Sequence, residues 1–212
     1  MMFYILLCIL AIVGYLLGSI NSAVILSKLL YKNDIRTQGS GNAGLTNMNR
    51  VYGKKAALFT FLGDFGKGII AVLIGRLVMY IAGYDVLMGE CIAGAFAVIG
   101  HNWPIYFGFK GGKGVLTSFS VLVVVVPIPA LIVFATFILV VALTKYVSLG
   151  SLISSIALPI LVFFCGNYLL SVSGLSPVFF LCVFVALLII VRHHANIGRL
   201  LKGQESKLSL KK

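Results

Sequence analysis

Three polar segments in an apolar chain carry the residues able to do chemistry, and the chemistry they suit is the handling of anions. The first reads Gly39-Ser40-Gly41-Asn42-Ala43-Gly44-Leu45-Thr46-Asn47-Met48-Asn49-Arg50. Gly39, Gly41 and Gly44 satisfy G-x-G-x-x-G, but a long apolar run precedes them and Asp64 falls inside another, so a dinucleotide fold is excluded. What remains is mechanical. Glycines let backbone N–H groups approach an anion, and Ser40, Asn42, Thr46 and Asn47 add hydroxyl and amide donors, with Arg50 as the cation. A flexible connector would need neither the asparagines nor the arginine. The second segment runs from His101-Asn102-Trp103-Pro104 through Phe109-Lys110-Gly111-Gly112-Lys113-Gly114 to Thr117. It misses the Walker A spacing and lacks that motif's Ser/Thr after the lysine, so ATP binding is not indicated. Lys110, Gly111, Gly112 and Lys113 still form a basic cradle at a helix start, where the dipole also favours an anion.

The third segment is Arg192-His193-His194-Ala195-Asn196-Ile197-Gly198-Arg199, continuing to Glu205. If helical, it places His193 and Asn196 on one face and Arg199 one turn further. His193 is open to three roles: general base, donor to a phosphate, or helix cap. His194 points elsewhere and reads as a bystander. Few carboxylates are nearby and the histidines do not form a ligand cluster, so no metal is expected. Asp64 and Lys67, at i and i+3 inside an apolar run, read as a self-neutralised pair with a structural or supporting role.

The elements that position these segments follow from composition. The 212 residues are 60% hydrophobic and 10% charged, with net charge +12, and the mean hydropathy is +1.10. A water-soluble core of this size cannot bury so much apolar chain. Apolar runs fall at about 3–27, 56–82, 86–103, 115–129, 130–144, 148–166 and 177–191, the fourth and fifth joined only by Val126-Pro127-Ile128-Pro129. Pro127 and Pro129 mark either a tight turn or a kink in one segment. The expected fold is therefore an all-α integral membrane protein of about seven transmembrane helices, one polytopic domain over 1–212. With the N-terminus outside and the C-terminus in the cytoplasm, every Lys and Arg except Lys67 and Arg76 falls on the inner side. The polar loops at about 31–55, 101–114 and 192–205 then share the cytoplasmic face. The basic tail Glu205–Lys212 reads as a solvated end near anionic headgroups. Cys8, Cys91, Cys165 and Cys182 stand singly in apolar stretches and read as packing residues.

The three segments resemble the motifs of the bacterial acyl-phosphate:glycerol-3-phosphate acyltransferases. Those approximate GSGNxGATNxxR, HxxPxxxxFKGGKGxAT and RHxxNIxRLxxGxE. This chain has GSGNAGLTNMNR, HNWPIYFGFKGGKGVLT and RHHANIGRLLKGQE, departing only at Leu45 and Leu116, where the family usually has Ala. The resemblance implies a seven-helix enzyme of the bacterial plasma membrane, with its site on the cytoplasmic side. It would move an acyl group from acyl phosphate to the 1-hydroxyl of glycerol-3-phosphate, giving lysophosphatidic acid and phosphate. Carried over by motif, His193, Asn196 and Lys113 would be catalytic. Ser40, Gly41, Asn42, Thr46, Arg50, Lys110, Gly111, Gly112 and Arg199 would hold phosphates, and Ser148 and Ser151 resemble a further polar contribution. No cofactor or metal is implied. The partners would be the two substrates, membrane lipid and the soluble enzyme that makes acyl phosphate, with no nucleic acid.

The residues themselves suit that chemistry. Two phosphate-bearing substrates explain clustered Lys and Arg on glycine-rich backbone. An acyl phosphate is already an activated anhydride, so the absence of a G-x-S-x-G elbow is no obstacle. An anion transporter would need polar residues on both membrane faces, and the outer connections are nearly featureless. A lipid-binding scaffold would have no use for the Asn and Gly positions.

Overall fold

The computed structural model describes residues 1–170 and 176–208, and every regular element among them is helical. Ten α-helices run in order: α1 (Met2–Ser19), α2 (Ser22–Tyr31), α3 (Leu45–Tyr52), α4 (Lys54–Ile81), α5 (Val86–Asn102), α6 (Val115–Val125), α7 (Pro127–Thr144), α8 (Val147–Leu170), α9 (Pro177–Arg192) and α10 (His194–Leu201). Each of the seven expected apolar runs holds a helix. Among the described residues, four stretches are long and apolar enough to cross a membrane: Met2–Tyr31, Lys54–Ile81, Pro127–Thr144 and Val147–Cys165. The pair Pro177–Arg192 and His194–Leu201, bent by 60°, makes a fifth if taken as one span. The others fall short for a simple reason. At about 1.5 Å per residue, α6 is only about 16 Å long, roughly half the hydrocarbon core.

The boundary between the fourth and fifth runs falls earlier than the apolar pattern suggests. The break is Val126, in a non-helical conformation, and Pro127 opens α7 at its first helical position. Proline is favoured there because its missing N–H would have no partner in any case. The chain divides into two compact units, Met1–Val125 and Val126–Lys212.

In the first unit, α1 lies against α5 through small residues. A Cβ on Gly14 would strike the Ala93 carbonyl, one on Gly18 the Ala97 carbonyl, and one on Gly100 the Tyr15 carbonyl. Close backbone approach of this kind is how helices associate when lipid is as apolar as their side chains. Gly75 of α4 and Gly89 of α5 meet similarly, and the Arg76–Glu90 ion pair joins the same two helices. Arg76, read from sequence only as a charge inside a run, is thus half of a neutralised pair. A separate cluster of Ala23, Val24, Ile35, Ala43, Met48 and Ala56 anchors α3 and the first polar segment to α2 and α4.

In the second unit, α8 packs against α7 and α9. Ser176 caps α9 by accepting from the Phe179 N–H, and Pro177 follows at the first helical position. The tail turns back onto the α7–α8 junction. Leu208 N–H donates to the Lys145 carbonyl at 2.7 Å, and Lys207 sits 5.8 Å over the Tyr146 ring. That corrects the expectation of a simply solvated end up to Leu208. Lys211 and Lys212, counted with the inner charges, lie outside the described residues.

Candidate active site

Asn47 shapes the first segment. Its buried carboxamide donates from Nδ2 to the carbonyls of Gln38 at 2.9 Å, Asn42 at 3.1 Å and Ile35 at 3.2 Å. Its Oδ1 accepts the Ser40 N–H at 2.9 Å. One side chain thereby closes the Gly39–Gly44 turn over α3. The backbone of Gly41 runs at φ +71°, which an L side chain resists. The Gly41 N–H donates to the Gln38 carbonyl at 2.9 Å. The amides of Ser40 and Gly41 therefore support the turn. The segment exposes Gly39, Ser40, Gly41 and Arg50, with Asn42 and Thr46 partly accessible.

The second segment folds back on the end of α5. Gly111 N–H donates to the Asn102 carbonyl at 3.2 Å and Gly112 N–H to the His101 carbonyl at 3.1 Å. These two glycines were also expected to offer amides to phosphate. Their observed role is close approach, since a Cβ on either would collide with His101. Lys110 is exposed and Lys113 partly so. Gly114, at φ +80°, passes beside the buried Asn102 side chain before α6 begins.

Arg36 ties the two segments together, a role that sequence reasoning missed. Its Nη1 donates to the carbonyls of Phe107 at 2.7 Å and Lys110 at 3.0 Å. Its Nε and Nη2 grip Asp34 Oδ1 and Oδ2 at 2.9 and 2.7 Å. The Arg36 hydrogen bond holds the Asp34 carboxyl well below the usual range, at about 2, and Asp34 raises the guanidinium in return. Asn21, the residue that caps α2, holds the first segment separately through Nδ2 to the Ala43 carbonyl at 3.4 Å. Under the second segment, Asp64 and Lys67 form the expected pair at 2.9 Å. His101 joins them.

In the second unit, Glu205 gathers the third segment. Its Oε1 accepts from Asn196 Nδ2 at 2.6 Å and Ser148 Oγ at 2.8 Å, and its Oε2 from Arg199 Nε at 2.7 Å. Burial raises the Glu205 pKa, but the three donors outweigh it and leave the carboxyl below its ordinary value. Asn196, expected to be catalytic, and Ser148 and Arg199, expected at the phosphates, thus converge on a carboxylate that the expected site did not include. Ser151 stands apart, its hydroxyl donating to the Val147 carbonyl at 3.0 Å.

His193 is not within a continuous helix. It closes α9 and opens α10 at the 60° bend, its carbonyl accepting the Ile197 N–H at 2.8 Å. Asn196 and Arg199 do share a face, because both lie on α10. The buried His193 ring approaches the Ile189 carbonyl with Nδ1 at 2.8 Å. A carbonyl only accepts, so the hydrogen is on Nδ1, and Nε2 is the nitrogen able to take a proton. His194 is exposed, its Nδ1 turned to the Val191 carbonyl at 3.0 Å.

Residues 8–203 match the family model described as glycerol-3-phosphate acyltransferase. The chain is 47% identical over 204 residues to the glycerol-3-phosphate acyltransferase of Clostridioides difficile, covering 96% of each chain. It is 46% identical over 201 residues to that of Thermoanaerobacter pseudethanolicus, covering 95% of each. Its structure resembles the crystal structure of PlsY, an integral membrane glycerol 3-phosphate acyltransferase, in the glycerol 3-phosphate form. The TM-score is 0.83 at 37% identity over 96% of each chain. The lysophosphatidic acid form of the same enzyme gives 0.80 at 37% identity, over 96% of this chain and 95% of that one. The chain is an integral membrane acyltransferase and belongs to the glycerol-3-phosphate acyltransferase family.

Proposed function

We propose that the enzyme transfers an acyl group from acyl phosphate to the 1-hydroxyl of glycerol-3-phosphate, yielding lysophosphatidic acid and inorganic phosphate. The observation that carries this reading is that Arg36 joins two glycine-rich loops that leave Ser40, Arg50 and Lys110 exposed, with Thr46 and Lys113 partly open. Fixed cations on a glycine-rich backbone suit phosphate esters. The solved relative in glycerol 3-phosphate and lysophosphatidic acid forms supports the acceptor and the product.

The hydroxyl oxygen attacks the acyl carbon directly. An ester bond forms, the bond from acyl carbon to bridging oxygen breaks, and phosphate leaves with the electron pair. The proton goes to His193 Nε2 or to a phosphate oxygen of the substrate. Lys113 offsets charge on the departing phosphate, and Asn196 supports the region around His193. No covalent acyl-enzyme is needed, because the donor is already activated.

The reading extends to setting. Seven spans, the N-terminus outside and the C-terminus inside put the three segments on the cytoplasmic face of a bacterial plasma membrane, in one polytopic domain. A soluble enzyme that makes acyl phosphate is then a natural partner. The test is purified enzyme in detergent, given glycerol-3-phosphate with either acyl phosphate or acyl-coenzyme A. Phosphate release and lysophosphatidic acid are expected with acyl phosphate alone. Product from the thioester, with none from acyl phosphate, overturns the donor assignment.

A further inference from the structure

A second histidine has its charge state dictated by its neighbours. Lys67 Nζ lies 2.9 Å from Asp64 Oδ1, 2.8 Å from the Ile20 carbonyl and 2.9 Å from His101 Nδ1. An ammonium has three hydrogens and no lone pair, and here it has three acceptors. His101 Nδ1 must therefore accept, which leaves the ring hydrogen on Nε2 and the imidazole uncharged. All three side chains are buried, with 1% of Asp64 and 6% of Lys67 accessible. Asp64 Oδ1 also accepts the Ser22 N–H at 3.3 Å and lies 3.8 Å from His101 Nδ1. The cluster thus draws on α2, α4, α5 and Ile20, the residue that follows α1.

The other edge of the ring abuts the second loop. A Cβ added to Gly112 would overlap His101 Nε2, and the same glycine lies against the Ala43 carbonyl of the first loop. The His101 carbonyl receives the Gly112 N–H. Ring and carbonyl of one residue therefore seat the peptide between Lys110 and Lys113. Two opposite charges in apolar surroundings are a costly way to brace a helix, and apolar residues of similar volume would often serve as well. What the ammonium adds beyond bracing is a donor to Nδ1, which fixes the ring hydrogen on Nε2, towards the loop.

We propose that Asp64, Lys67 and His101 are positioning residues. They lock His101 as a neutral Nε2–H group beneath Gly112 and so set the loop geometry that holds the phosphate of glycerol-3-phosphate. This rests on the reading of the Lys110–Lys113 loop as a phosphate cradle. Losing the lock weakens capture of glycerol-3-phosphate while leaving the chemical step and the donor largely untouched.

The test measures KM for each substrate and kcat on enzyme shown folded by size exclusion and thermal unfolding. His101→Asn keeps a group near Nδ1 and deletes Nε2. It is expected to raise KM for glycerol-3-phosphate about tenfold to a hundredfold, the scale of one lost hydrogen-bonding contact in a network. His101→Gln, which returns an N–H near Nε2, should recover most of that loss. Lys67→Met alone strands the Asp64 charge and invites misfolding, so the double variant Asp64→Asn/Lys67→Met removes both charges together. It should fold and show the same rise in KM. Folded His101→Asn and double variants with unchanged KM overturn the proposal, as does a loss confined to kcat. Lys110→Ala separates the two levels. If it raises KM and His101→Asn does not, only the positioning role fails. If Lys110→Ala leaves KM unchanged, the cradle reading itself fails.

Discussion

Asn196 donates to Glu205 across 2.6 Å, so a residue expected to meet substrate is instead held by an acid nine positions along the chain. Ser148 and Arg199 share that acid. Substituting Glu205→Ala leaves two buried donors, Ser148 and Asn196, and the half-exposed Arg199 without their acceptor. Each hydrogen bond to a charged group contributes about 1.5–3 kcal/mol, so a clear fall in melting temperature in detergent is expected. Because the folded pKa lies below the ordinary carboxylate value, the stabilisation is complete above that value. It is lost as pH falls through the depressed one. Equal melting of wild type and Glu205→Ala between pH 7 and pH 3 would remove Glu205 as the organiser.

Arg36 is the bridge between the first two loops, and its planar fork is what lets it hold Asp34 and two carbonyls at once. Lysine offers a point charge and no fork. Arg36→Lys should therefore raise KM for glycerol-3-phosphate about tenfold and speed proteolysis within residues 105–112. The Asp34 contribution is present above about pH 3.8 and lost as pH falls towards about 2. Wild-type kinetics and cleavage in Arg36→Lys would show that the bridge is dispensable.

Arg50, Lys110 and Lys113 are the cations assigned to phosphate. Alanine at any one should lower kcat/KM by about one to two decades, from a charge-assisted contact of about 1.5–3 kcal/mol. Membrane insertion should be unchanged. Initial rates at varied concentrations of both substrates check this, and a variant with unaltered constants takes that residue out of the site.

These assignments divide by how local the signal is. Helix positions were legible because apolar runs of spanning length are a property of composition. The two glycine-rich loops were legible because residue types and spacing are local too. Glu205, Arg36 and His101 were not, since each acts through a partner brought in by folding. A sparser signal was present. The chain has only five acids, and in so basic a protein each is engaged. Asp34 meets Arg36, Asp64 meets Lys67, Glu90 meets Arg76 and Glu205 meets Arg199, while Asp85 caps α5. The bend at His193 was hidden because nothing in Arg-His-His-Ala breaks a helix on propensity alone.

His193 donates from Nδ1 to Ile189, so His193→Asn preserves a donor there and deletes Nε2. If Nε2 accepts the hydroxyl proton, kcat falls about two to four decades. The acidic limb of the pH–rate profile then disappears, because no imidazole remains to be protonated out of action. His194→Ala should change neither. If substrate phosphate takes the proton, His193→Asn keeps the profile's shape. A loss at His194 matching that at His193 would mean the wrong histidine was chosen.

Cysteine at position 145, on a background lacking the four native cysteines, tests the topology. An impermeant reagent added outside should not label it. Labelling would place Lys145 on the outer face and reduce the number of spans.

Rapid-quench mixing of enzyme with acyl phosphate, with and without glycerol-3-phosphate, tests direct transfer most directly. The predicted result is phosphate and 1-acyl product in one-to-one yield when both substrates are present, with no phosphate burst from the donor alone. A burst stoichiometric with enzyme before glycerol-3-phosphate is added would reveal an acyl-enzyme and contradict the account.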